Sequence, residues 1–214
     1  MSYDLILLPS GVATSIDEVD AYLAAQEGQP ESATVADIAA EINARNAALP
    51  ASDTFLATDS VGGAPSGTTL TVSSPYDALG FVRNLLFDLA TPRDYAIYDP
   101  QLSWLIDPKD HIPVSVTHGG AGEFPYLTEE LAHNWVAGLS DPNPYLIVER
   151  GDQRYIQTYR DQRGEYTLEY RDGSPQRHFG TVLADPDEVA RIIWDWTTDP
   201  ASVEKDVAWT GVEL

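Results

Sequence analysis

Arg154-Tyr155-Ile156-Gln157-Thr158-Tyr159-Arg160-Asp161-Gln162-Arg163-Gly164-Glu165-Tyr166-Thr167-Leu168-Glu169-Tyr170-Arg171 consists of two β-branched and aromatic runs around a polar break that ends in glycine. Alternation with period two on both sides of such a break reads as an antiparallel hairpin. Flanking runs at 145–150 and 177–183 have the same character, and Gly151-Asp152 and Asp172-Gly173-Ser174-Pro175 supply further turns. The pattern predicts a four-stranded antiparallel meander over residues 145–183. With Asp161 to Gly164 as the loop, Arg160 faces Glu165, Tyr159 faces Tyr166, Gln157 faces Leu168 and Tyr155 faces Tyr170. That register gathers Tyr155, Gln157, Tyr159, Tyr166, Leu168 and Tyr170 on one face, expected to be buried. Arg154, Ile156, Thr158, Arg160, Glu165, Thr167, Glu169 and Arg171 then face solvent as cross-strand ion and Thr pairs. Gln157 is on this reading either a polar bridge in the core or part of an open recognition pocket.

Working outward, Thr128 caps a helix carrying Leu131, Ala132, Trp135, Val136 and Leu139 on one face, broken by Asp141-Pro142-Asn143-Pro144. Asp185-Pro186-Asp187-Glu188 starts another, with Val189, Ile192, Ile193 and Trp196 at helical spacing. These two helices are expected to cover the aromatic face, and a tail with Val203, Val207 and Trp209 to pack back on the sheet. Toward the N-terminus, Leu5 to Leu8 form a strand. Helices are expected from Ser15 to Gln26 and from Ala33 to Ala48, and Ser52 to Gly67 reads as a mobile loop with few apolar anchors. Thr68 to Ser73 is extended, Pro75 opens a third helix, and short strands are expected at 95–98 and 103–106. The Pro-, Gly- and charge-rich stretch 107–125 reads as a long connection between two domains, 1–109 and 110–214. The expected class is α+β, an N-terminal α/β layer followed by the meander and its helices.

The chain has 214 residues, 34 Asp and Glu against 12 Lys and Arg, a net charge of −22 and no cysteine. Without cysteine there is no disulfide framework and no thiolate site, which suits a reducing compartment. Asp4 occupies the place where a signal peptide carries Lys or Arg, and no apolar stretch is long enough to span a bilayer. The expected location is the cytoplasm. The charge disfavours nucleic-acid phosphates and anionic membranes as partners. It suits either a solubilising surface or an acidic face that docks a basic partner. Residues 149–178 are locally neutral, with six Arg and six acids.

Catalytic patterns fail one by one. Gly63-Ala64-Pro65-Ser66-Gly67 has its serine off the centre of a nucleophile elbow, and 62–69 has the glycines of a phosphate loop but Thr68 where lysine is required. Thr117-His118-Gly119-Gly120 resembles an oxyanion loop, yet no serine motif follows it. His111, His118, His133 and His178 show no metal-ligand spacing. No catalytic residue, metal ligand or cofactor is expected.

The run 155–159, then 166–174, then Arg177-His178-Phe179 and a Pro-Asp-Glu-Val helix ending near Trp196 resembles the immunity proteins found beside polymorphic and contact-dependent bacterial toxins, especially the first-described immunity family. The resemblance covers roughly 145–209. Residues 1–109, with Met1-Ser2-Tyr3-Asp4-Leu5 and the Tyr98 to Gln101 element, resemble uncharacterised actinobacterial proteins. The first resemblance implies a non-catalytic α+β protein that binds a protein partner, a basic toxin domain. Binding residues expected on the meander are Arg154, Gln157, Glu169, Arg171 and His178. The alternative is a small hydrolase or ligand-binding protein using a cleft between the two halves, with His118 and His178 as its polar groups.

Overall fold

In a computed structural model, which describes residues 2–205 and 207–212, the chain is α+β and divides into two compact units, Met1–Lys109 and Asp110–Leu214. No described helix is long and apolar enough to cross a membrane.

The first unit is built on a four-stranded antiparallel sheet in the order β2-β1-β3-β4, from β1 (Ser2–Pro9), β2 (Leu70–Pro75), β3 (Tyr95–Asp99) and β4 (Trp104–Ile106). Its helices are α1 (Ile16–Gln26), α2 (Ala33–Ala47) and α3 (Leu79–Ala90). Ser15 and Ser32 cap α1 and α2 by accepting from the N–H groups of Glu18 and Val35. Glu18 in turn accepts from Thr14 N–H, which holds its carboxyl below the usual range. Leu5, Leu7, Val35, Ile38, Ile42, Val72, Val82 and Leu86 are fully or almost fully buried. A polar cluster closes one end of the sheet. Asp99 is fully buried, accepts from Tyr3 Oη at 2.7 Å, lies 3.6 Å from Arg83, and caps the next turn through the N–H groups of Gln101 and Leu102. Burial, with the Asp99 bond added, pushes the Tyr3 phenol well above its ordinary range.

The 52–67 segment is not the weakly anchored loop its composition suggests. Phe55, Leu56 and Val61 are buried. The Asn46 side chain accepts from the N–H groups of Phe55 and Leu56, while Asn43 both donates to and accepts from the Val61 backbone. Gly62 has φ +82°, and a Cβ there would stand 2.5 Å from that of Ala39. Two asparagines on one face of α2 thus do work that an apolar-periodicity reading does not register.

The second unit carries a seven-stranded antiparallel sheet, not a four-stranded one. Its strands are β5 (Ile112–His118), β6 (Gly122–Leu127), β7 (Tyr145–Gly151), β8 (Arg154–Arg160), β9 (Tyr166–Asp172), β10 (His178–Leu183) and β11 (Thr210–Gly211), in the order β11-β10-β9-β8-β7-β5-β6. The expected meander is its centre. The stretch read as a connection supplies the β5–β6 hairpin, whose prolines are tolerated for local reasons. Pro113 lies beside a register shift and outside the β7 pairing, and Pro125 lies on the edge strand, where a missing N–H costs no ladder bond. Helices α4 (Glu129–Ala137) and α5 (Pro186–Thr198) are capped by Thr128 and Asp185. Both lie on one face of the sheet: Trp135 packs on Phe124 and His118, and Tyr166 Oη reaches the Val136 carbonyl.

The β8–β9 register differs by one residue from the expected one. Asp161 N–H donates to the Glu165 carbonyl at 2.8 Å and Gly164 N–H to that of Asp161 at 3.0 Å, so Asp161 and Glu165 pair across a three-residue loop. Asp161 Oδ1 accepts from Arg163 N–H and Glu165 N–H, and Gly164 takes φ +85°. Pairs are therefore Arg160 with Tyr166, Thr158 with Leu168, Gln157 with Glu169, Ile156 with Tyr170 and Tyr155 with Arg171. A one-residue shift inverts one strand's faces relative to the other. Ile156, Thr158, Tyr166, Leu168 and Tyr170 are buried under the helices, while Tyr155 and Tyr159 point the opposite way.

Replacing Asn46 with Ala leaves the Phe55 and Leu56 N–H groups without their acceptor. We expect a loss of about 2 kcal/mol, read as a lower urea midpoint with unchanged slope; a midpoint equal to that of the parent chain would show the segment to be loosely held.

Candidate functional site

The outer face of the second unit's sheet, opposite α4 and α5, brings together four of the five residues expected to bind. Gln157 and Glu169 are a cross-strand pair, and Gln157 Nε2 donates to Glu169 Oε2 at 2.8 Å. His178 stands across from Arg171 on the neighbouring strand and is 5% exposed. Its Nε2 lies 3.3 Å from Glu169 Oε2, close but without the alignment of a hydrogen bond, and its Nδ1 lies 3.3 Å from an Arg171 amino group. Arginine can only donate, so Nδ1 accepts and the neutral ring carries its proton on Nε2, toward Glu169. Arg171 also donates to Gln153 Oε1 at 2.9 Å and stacks its guanidinium 5.4 Å from the centre of the Tyr155 ring. The cluster thus spans β8, β9 and β10, with Gln157 bonded to Glu169, Arg171 bonded to His178 and Gln153, and Glu169 in close approach to His178.

Arg154 departs from the expected group. It falls on the β8 side that carries Ile156 and Thr158, beyond the buried part of that face, and its Nε stands 3.6 Å from Asp172. The one-residue register change moves it away from Glu169 and Arg171 and brings Gln157 to them. Sequence reasoning also missed the aromatic and apolar border of the network. Tyr145, Ile147, Gln157, Tyr159, Thr167 and Glu169 line a shallow depression of about 430 Å³. Tyr159 is 48% exposed, and Val182, on the same face, 59%. The signal that could have found them is the Asp161-x-x-Gly164 spacing, which marks a three-residue loop and the register that turns Tyr159 outward.

His118 and His178 do not share a site. His118 is on the inner face of β5, 6% exposed, edge-on to Trp135 and accepting from Gly120 N–H at 3.1 Å. Burial lowers its pKa to about 4. His178 is on the outer face of the same sheet, so the two imidazoles cannot act on one substrate. Among the described residues no group of three or more His, Asp or Glu could hold a metal ion. No family model, curated protein or solved structure matches the chain.

A buried His118 that stays neutral makes folding resist protonation. Its folded pKa is lowered, so its share of stability is complete above the unfolded value near ~6.5 and falls away as pH drops toward 4. The loss is about 3 kcal/mol for a shift from the ordinary value to about 4. Urea midpoints measured from pH 7.5 to 4.5 should fall less steeply for His118→Gln than for the parent; parallel curves would contradict the burial of a neutral ring.

Proposed function

We propose that the chain is a non-catalytic protein-binding module, of the kind an immunity protein represents, which docks a basic toxin domain through the outer face of its seven-stranded sheet. The observation that carries this reading is the composition of that face. A large, half-exposed aromatic and apolar border, Tyr145, Ile147, Tyr155, Tyr159 and Val182, surrounds the Gln157–Glu169–His178–Arg171 network. Tyrosine contributes wide contact area at little entropic cost, and a charged network already fixed in place avoids the ordering penalty on association. A sheet face with apolar rings around polar side chains held by the Gln157–Glu169 and Arg171–His178 hydrogen bonds suits the surface of another protein.

The acidity supports a basic partner. A net charge of −22 attracts a cationic domain over a Debye length of about 8 Å at physiological salt and accelerates encounter. Within the outer face, Glu169 is an acid near the centre, with Gln157, His178 and Arg171 beside it and the tyrosines Tyr145 and Tyr159 around the same depression.

The test is to capture the partner on the immobilised full chain from a lysate of the native host, identify it, and measure the purified pair. A basic toxin domain should associate more slowly as salt rises. Tyr159→Ala should raise its Kd about tenfold or more through faster dissociation, with no change in Tm because the ring is half exposed. A partner whose Kd is indifferent to Tyr159→Ala and to Gln157→Ala binds elsewhere, and the reading fails.

A further inference from the structure

Arg154, displaced from the outer-face network, belongs to a different feature. A pocket of about 420 Å³ in the second unit lies where the ends of β7, β8 and β9 meet the C-terminal end of α5 and residues 200–203. Among the described residues Arg150, Arg154, Arg171 and Arg177 line it, with Asp172 as the acid. The whole chain has only 12 basic side chains among 34 acidic ones, so this is a sharp local reversal of sign.

The spare donor capacity lies on Arg154 and Arg150. Asp172 meets Arg177 at 2.5 Å and stands 3.6 Å from Arg154. Arg150 donates to the Thr197 carbonyl at the end of α5, a neutral acceptor that does not cancel its charge. Arg154 has five N–H donors, and its only described partner is the long contact to Asp172. Crowding guanidiniums in a concavity costs Coulomb energy unless an anion sits among them. The floor, from Tyr170 and Trp196, is apolar and nearly inaccessible, which lowers the local dielectric and strengthens attraction for a charge held above it. Planar forked donors on several sides suit the tetrahedral oxygens of phosphate.

We propose that this pocket binds a compact phosphate-bearing molecule, a phosphate monoester or a diphosphate. The size is adequate for a small ligand, and the surrounding acidity selects against a polymer. The repulsion from a −22 surface grows with every added phosphate outside the pocket, so a short dianion gains from the arginines while a nucleic acid loses on the approach. The site shares Arg171 with the outer-face network, but it is read out through Arg150 and Arg154, which that network does not use, and it does not depend on the docking reading.

The experiment uses the full chain and two readouts at fixed ionic strength: calorimetric titration, and Tm with and without ligand. Inorganic pyrophosphate is the first probe, with inorganic phosphate, succinate and a short single-stranded DNA as comparisons. Pyrophosphate should bind with a Kd below about 1 mM and raise Tm, phosphate more weakly, and succinate and DNA weakly or not at all. Arg154→Gln should weaken pyrophosphate at least tenfold without altering the unliganded Tm, since its side chain is 63% exposed. Arg154→Lys should lie between, keeping charge and losing the fork. Arg45→Gln, on α2 in the other unit, should match the parent. Stabilisation no greater than an equal ionic strength of sodium chloride produces, or pyrophosphate binding indifferent to both Arg154→Gln and Arg150→Lys, would overturn the proposal. DNA binding tighter than pyrophosphate would overturn its ligand class.

Discussion

The carboxylate of Asp161 accepts two backbone N–H groups, and the organisation of the second unit follows from that small ring of bonds. It closes a three-residue turn with Gly164 in the left-handed region and pairs Asp161 with Glu165. A turn longer by one residue would present the opposite side of β8 to the helices. Ile156 and Thr158 would then leave the core, and Tyr155, Gln157 and Tyr159 would have to enter it. Because alternation in a strand is strict, the choice is all-or-none for the whole strand. The binding surface is thus a by-product of a turn more than of any preference of the rings themselves.

Once the register is set, the two faces meet different demands. The inner one has to fill volume beneath two helices, and Trp135, Phe124, Leu168 and Ile193 do so with almost no exposure. Among the described residues no helix of its own unit covers the outer one, and its polar side chains are tied by the Gln157–Glu169 and Arg171–His178 hydrogen bonds. His178 shows the strategy: a ring that is nearly inaccessible, yet bordered by Glu169 and Arg171, is fixed in tautomer and orientation without being placed in the core.

Much of this was legible beforehand. Three capped helices announced themselves through Ser15, Thr128 and Asp185, because a side-chain oxygen ahead of an apolar stripe has one obvious use. The meander was legible because β-branched and aromatic alternation is a direct image of the pleat. What escaped has equally physical causes. The β5–β6 hairpin is punctuated by Pro113, Gly119, Gly120 and Pro125, residues whose cost depends on whether a strand is an edge and where a bulge falls, which neighbours in space decide. The anchoring of residues 55–61 depends on Asn43 and Asn46, polar side chains whose partners lie several residues downstream. The candidate site was half legible. Glu169 and Arg171 follow from β9 alone, whereas the company they keep needed the register. The arginine pocket joins strand ends to the end of α5, and no local pattern foretells such a meeting.

The sheet of the first unit carries a consequence for its birth on the ribosome. Strand β1 lies between β2 and β3, and both partners are encoded far downstream, at Leu70–Pro75 and Tyr95–Asp99. During synthesis Leu5-Ile6-Leu7-Leu8 therefore emerges long before either neighbour, with both of its hydrogen-bonding edges open and its apolar side chains in water. Tyr3 waits still longer, for Asp99 and Arg83, whose buried ion pair can assemble only when β3 arrives. The order of elements along the chain thus postpones the collapse of this unit until nearly all of it has been made, and in that interval the nascent β1 offers chaperones the most apolar ribbon they will meet on it.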